Sequence, residues 1–98
     1  MNKETEEKFI MKIGGIFKIP DKGIVLAGGN PEITMNDTSK LCRKGETIII
    51  KNEHRELRLK AEDIRLSFSI TEAVIIGILV HESDETSELC IGDRIYEE

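Results

Sequence analysis

The chain of 98 residues contains no tryptophan, and its aromatic residues are confined to Phe9, Phe17, Phe68 and Tyr96. Platforms for single-stranded nucleic acid are built on stacked aromatic side chains, so this scarcity counts against that class of binder. Long apolar runs are also missing. The longest, residues 73–80, is interrupted only by Gly77 and falls far short of the roughly 20 residues of a membrane helix, so no membrane association is expected. The acidic, apolar-poor start Met1-Asn2-Lys3-Glu4-Thr5-Glu6-Glu7-Lys8 lacks the apolar stretch of a secretory leader. Cys42 and Cys90 are distant and outside any C-x-x-C spacing, which suits free thiols in a cytoplasmic protein. None of the eight glycines is followed by lysine, so the phosphate-cradling P-loop is absent and no nucleotide binding is expected. There is no Gly-x-Ser-x-Gly elbow to activate a serine, and neither cysteine has a histidine close in sequence. With so little room for a pocket, the chain reads as a non-enzyme without cofactor or metal.

Basic residues are scarce in one region. Residues 66–98 hold eight acids and a single base, Arg94, while the rest of the chain is slightly basic, so this region sets the sign of the overall charge of −5. Such a surface repels phosphate unless a separate basic patch exists. The candidate patch is the stripe Lys51, Arg55, Arg58, Lys60 and Arg65, which would face RNA or another partner. Glu53, Glu56, Glu62 and Asp63 interleave with it, so the simpler reading is an ordinary charged outer face. Free RNA is expected to bind weakly at best.

What is abundant is isoleucine, leucine and valine in alternation. Leu57, Leu59 and Ala61 fall on one face with Glu56, Arg58 and Lys60 opposite, and Ile64, Leu66, Phe68 and Ile70 alternate with Arg65, Ser67 and Ser69. That period of two predicts strands, and no segment sustains helical spacing. Phe9, Met11 and Ile13 continue the pattern until Gly14-Gly15, a pair that predicts a bulge or sharp bend. Further strands are expected at 23–28, 47–51, 73–80 and 89–96, separated by turn residues at Pro20–Gly23, Gly29–Pro31, Asn52-Glu53 and Ile91–Asp93. Residues 30–40 and 81–88 read as loops. The expectation is one all-β domain over 9–98, a small closed barrel of six to eight strands, behind an unstructured N-terminus over 1–8.

Several of these pieces resemble the second-domain β-barrel of translational GTPases, the elongation factor Tu domain 2-like type. Lys22-Gly23-Ile24-Val25-Leu26-Ala27-Gly28 is similar to its glycine-valine-glycine strand, and Ile16-Phe17-Lys18-Ile19 to the strand before it. Gly45-Glu46-Thr47-Ile48 resembles its glycine-acid turn, Ile76-Gly77-Ile78-Leu79-Val80 its late strand, and Ile91-Gly92-Asp93-Arg94-Ile95 its closing turn. The resemblance spans roughly residues 16–96. It implies structural roles for Gly23, Gly28, Gly45, Gly77 and Gly92, and a module that contacts RNA or ribosome while a neighbouring domain does the chemistry. The chain departs from the pattern at Asp21, where the family has glycine, at Ala73-Val74, and in a longer 30–44 segment. The GTPase domain itself is not present in this sequence.

The expected role is thus a stand-alone, non-catalytic binding module docking a protein or ribonucleoprotein. An RNA- or ribosome-contacting module is the first alternative. The second is a small metal- or ligand-binding protein or enzyme using Cys42, Cys90, His54 or His81. The echo between Leu41-Cys42-Arg43-Lys44-Gly45-Glu46 and Leu89-Cys90-Ile91-Gly92-Asp93 fits either two similar turns or a cysteine pair. His54 reads as a solvated turn residue. The acidic run behind His81 lacks the spacing and central glycine of a calcium loop.

Overall fold

A computed structural model describes residues 8–33, 43–68 and 74–98. They form seven antiparallel strands: β1 (Lys8–Ile19), β2 (Gly23–Gly29), β3 (Thr47–Lys51), β4 (Glu56–Lys60), β5 (Asp63–Phe68), β6 (Val74–Val80) and β7 (Arg94–Glu97). The one helical element among the described residues is a 3-10 turn at Glu85–Glu88. All seven strands belong to a single sheet in the order β4-β3-β7-β1-β2-β6-β5.

The sheet is not closed as a barrel, which corrects the closed-barrel expectation. Its edge strands β4 and β5 share no ladder, yet only Ala61 and Glu62 separate them in the chain. Six steps of about 4.8 Å would hold the edges of a flat sheet about 29 Å apart. Three peptide units span at most about 11 Å, so the sheet must roll until its edges meet at this corner. Hydrogen bonding changes sides there. Ala61 N–H donates to Glu46 O (2.9 Å) on the β3 side, and Glu62 N–H donates to Leu79 O (2.7 Å) on the β6 side.

The concave face carries the core. Ile13, Leu26, Ile48, Ile50, Ile76, Ile78, Val80 and Ile95 are almost fully buried there. Alternation places them correctly in β2, β3 and β6, while β1 departs from it. An extra residue, Ile10, is inserted between the pairs Phe9–Tyr96 and Met11–Ile95. Ile10 and Met11 are therefore both buried, and Phe9 turns outward, 38% exposed, instead of sharing the face of Met11 and Ile13. Asn30 supports the bulge: its Nδ2 donates to Ile10 O at 2.8 Å, and its Oδ1 accepts the Glu32 N–H at 2.9 Å. The second bulge lies at Gly14, between Ile13–Gly28 and Gly15–Ala27, where the glycine pair predicts it.

Boundaries differ elsewhere too. The last strand begins at Arg94 rather than 89, because Asp93 closes a turn over 90–93 by accepting the Cys90 N–H at 3.0 Å. Lys8 already belongs to β1. The remainder of the expected N-terminal tail, most of the 30–40 loop, Cys42 and Ile70 lie outside the described residues.

Two of the singled-out glycines are required by close approach. A Cβ at Gly28 would strike the carbonyl oxygen of Lys12, and one at Gly23, where φ is +140°, that of Val80. Gly45 and Gly92 occupy turns. At Gly77 an added Cβ meets only ordinary contacts, with Val25 Cγ1 at 3.5 Å.

Candidate binding surface

The predicted stripe does not form one basic field. Lys51 lies opposite Glu56 in the β3–β4 ladder, with Nζ 3.8 Å from its carboxylate. Arg55 is paired with Glu88, and Arg58 with Glu98 and, at 3.3 Å, Glu56. Across the corner on β5, Arg65 binds Asp63 at 3.2 Å. Of the five, only Lys60 has no ion pair among the described residues. The Ile64 backbone N–H and then the Arg65 guanidinium hold the Asp63 carboxyl below the usual aspartate value.

A different cluster of cations emerges from the strand register. Lys12 on β1 is opposite Arg94 on β7, and Arg94 is opposite Lys51 on β3. Three positive side chains therefore stand in one row across adjacent strands on the convex face. A parallel row, Phe9–Tyr96–Ile49–Arg58, lies two residues further along β7, β3 and β4 and, across the Ile10 bulge, three along β1. Phe9 and Tyr96 meet edge to face at 5.5 Å, and Lys51 Nζ lies 5.2 Å from the Tyr96 ring centre. Ile49 is fully buried between Tyr96 and Arg58 although it points away from the core.

The cation row floors a cleft of about 430 Å³ lined by Lys12, Lys51, Asn52, Glu53, Gly92, Arg94 and Tyr96. Its walls are the β3–β4 hairpin turn and the turn over 90–93. Asn52 shapes the first, since its Oδ1 accepts the backbone N–H groups of His54 (2.7 Å) and Arg55 (3.0 Å). Asn52 Nδ2 also donates to Asp93 Oδ1 at 3.4 Å, tying the two walls together. Gly92 N–H donates to Ile13 O and Ile13 N–H to Asp93 O, both at 2.8 Å, so the second wall is fixed to β1. Lys12 and Arg94 have no carboxylate partner among the described residues. The sequence reading found Lys51 but missed Lys12 and Arg94. The available signal was Arg94 itself, the lone base of the acidic final third.

A second, smaller cleft of about 260 Å³ lies on the same convex face beside β5, lined by Ile19, Lys22, Val25, Asp63, Arg65, Gly77 and Leu79. Val25 there is opposite Phe17, which is 56% exposed.

The residues of the metal or nucleophile alternative are dispersed. His54 is an exposed turn residue, and His81 is exposed next to Glu82. Cys90 is exposed and free, its Sγ 3.6 Å from Glu88 O, and Cys42 lies outside the described residues. Among the described residues no three His, Cys, Asp or Glu side chains converge as a metal site would require. The carboxylates of Glu82 and Glu88 pair with Lys18 (3.2 Å) and Arg55. Among the same residues, no helix is long and apolar enough to cross a membrane. No protein-family model matches the chain, and neither the curated proteins nor the solved structures yield a match.

Proposed function

We propose that the chain is a non-catalytic binding module, working in the cytoplasm, that docks a protein partner by receiving an anionic group on the Lys12–Arg94–Lys51 row. One observation carries this reading. Like charges directly opposite one another weaken a sheet, yet this chain of net charge −5 places three cations in register and leaves Lys12 and Arg94 without carboxylates among the described residues. The resemblance of its sequence pieces to the second domain of translational GTPases supports a contact role without chemistry of its own, and without nucleotide.

RNA is the second reading. It is favoured by Phe9 and Tyr96 beside the row, where a base could stack next to a bound phosphate. The carboxylates that occupy four of the five stripe cations weigh against it. Parallel capture from lysate on immobilised parent protein and Arg94→Gln tests the choice. Proteins retained by the parent, resistant to nuclease and absent from the variant are the expected result. Retention of the same set by both proteins overturns the proposal, and loss of the set on nuclease treatment favours RNA.

A further inference from the structure

Resting on that docking reading, we infer that the group seated on the row is a phosphate monoester, so that the partner is recognised in its phosphorylated form. Neighbouring strands lie about 4.8 Å apart, so Lys12 and Lys51 flank Arg94 at a distance from which long side chains can converge on one point. A phosphate monoester is close to a dianion at neutral pH and offers three terminal oxygens. A carboxylate offers two oxygens and a single charge. Lys12 and Arg94, joined by Lys51 when it turns from Glu56, are thus better matched by phosphate, with the Arg94 guanidinium able to take two oxygens side by side.

The surroundings limit the ligand to a single compact group. On β2 the position beyond Lys12 is Gly29, and on β4 the position beyond Lys51 is Glu56. Glu53 lines the rim. An extended polyanion would leave the row at either end onto Gly29 or Glu56, with no track of cations to follow in that row among the described residues. The cleft of about 430 Å³ has room for the side chain carrying the phosphate, and Tyr96 offers it an apolar wall. Asn52 Oδ1 closes one wall, and backbone bonds fix the other to β1, so the walls are formed before binding, which favours affinity.

The test uses isotope-labelled full-length chain in about 150 mM salt and four probes: a neutral peptide bearing one phosphoserine, the same peptide with glutamate or serine, and a 12-nucleotide RNA. The phosphopeptide is expected to shift the amides of Lys12, Lys51 and residues 92–94. Lys12→Gln and Arg94→Gln should each weaken it about tenfold or more, as loss of a charge-assisted hydrogen bond does. Lys60→Gln should leave it unchanged, and Glu53→Gln should tighten it. Melting curves confirm that each variant is folded. Equal binding of the glutamate peptide overturns the phosphate inference while the docking reading stands. Failure of both anionic peptides, together with a partner set unaltered by Arg94→Gln, removes both. Tighter binding of the RNA, lost in Lys12→Gln, replaces both with a nucleic-acid site.

Discussion

Lys12 and Arg94 face each other directly across the β1–β7 ladder, two like charges on adjacent strands. Arg94 meets a third, Lys51, on its other side. Each such pair weakens a sheet by roughly 0.2–1 kcal/mol. Arg94→Gln is therefore expected to stabilise the fold by about 1 kcal/mol, a rise of roughly 4–8 °C in Tm for a domain of this size. The gain should shrink in high salt, where the screening length falls to about 3 Å at 1 M. Thermal melts of parent and variant at low and high salt check both points. A variant less stable than the parent would contradict the reading of a repulsive row.

The two glycines Gly28 and Gly77 should respond oppositely to alanine. At Gly28 the new methyl would collide with the Lys12 carbonyl oxygen in the paired strand, forcing the β1–β2 ladder apart. A loss on the order of 2–4 kcal/mol is expected. Gly77→Ala meets no such obstacle and restricts the unfolded chain, so a gain of about 0.4–1 kcal/mol is expected. Denaturant unfolding of the two variants measures the contrast, and equal effects would refute it.

Asp21 holds a left-handed backbone with φ at 67°, in the turn that Lys22 N–H closes on Ile19 O at 3.0 Å. Pro20 precedes it, and a positive φ at the third position of such a turn favours glycine. Asp21→Gly should stabilise the protein by about 0.5–1 kcal/mol, the relief of left-handed strain less glycine's entropic cost. Chemical denaturation is the check. A destabilised variant would show that the Asp21 side chain matters more than its backbone.

Asp63 makes acid stability partly a property of the corner. Its carboxyl lies below the ordinary value of 3.8, first through the Ile64 N–H and then through Arg65. The folded state thus binds this proton less readily than the unfolded chain. The resulting contribution is complete above about pH 4 and is lost as pH falls through the lower folded value. Asp63→Asn should flatten the fall in stability below pH 4. A carbon-13 titration should place the Asp63 midpoint below 3.8, and a midpoint at or above that value would contradict the account.

Much of the strand content was legible because alternation follows directly from burying one face. The span 47–51 agrees with β3, and the glycine pair marks the bulge at Gly14. The bulge at Ile10 has no such marker; its support comes from Asn30, twenty residues away. The order of strands was not legible either, since alternation says which residues face inward but not which strands become neighbours. For the same reason the stripe over 51–65 was visible in sequence, whereas the row was not. Lys12 and Arg94 are brought together by a register that two bulges and an Asp93-closed turn determine.

The corner at Ala61-Glu62 also bears on how the protein behaves in a crowd of its own copies. An open sheet has two edges whose unpaired backbone groups can template another chain, and long, straight, uncharged edges are the hazardous ones. Here β4 is five residues long and β5 six, and the chain changes direction between them. Their outward positions carry Glu56, Arg58 and Lys60 on one edge and Arg65 on the other, with Asp63 at its start. An incoming strand would find only a few residues of straight backbone before the bend, flanked by charges of both signs. Arg58, Lys60 and Arg65, which read in sequence as part of a nucleic-acid stripe, thereby disfavour edge-to-edge pairing, a task served as well by charges of mixed sign as by basic ones.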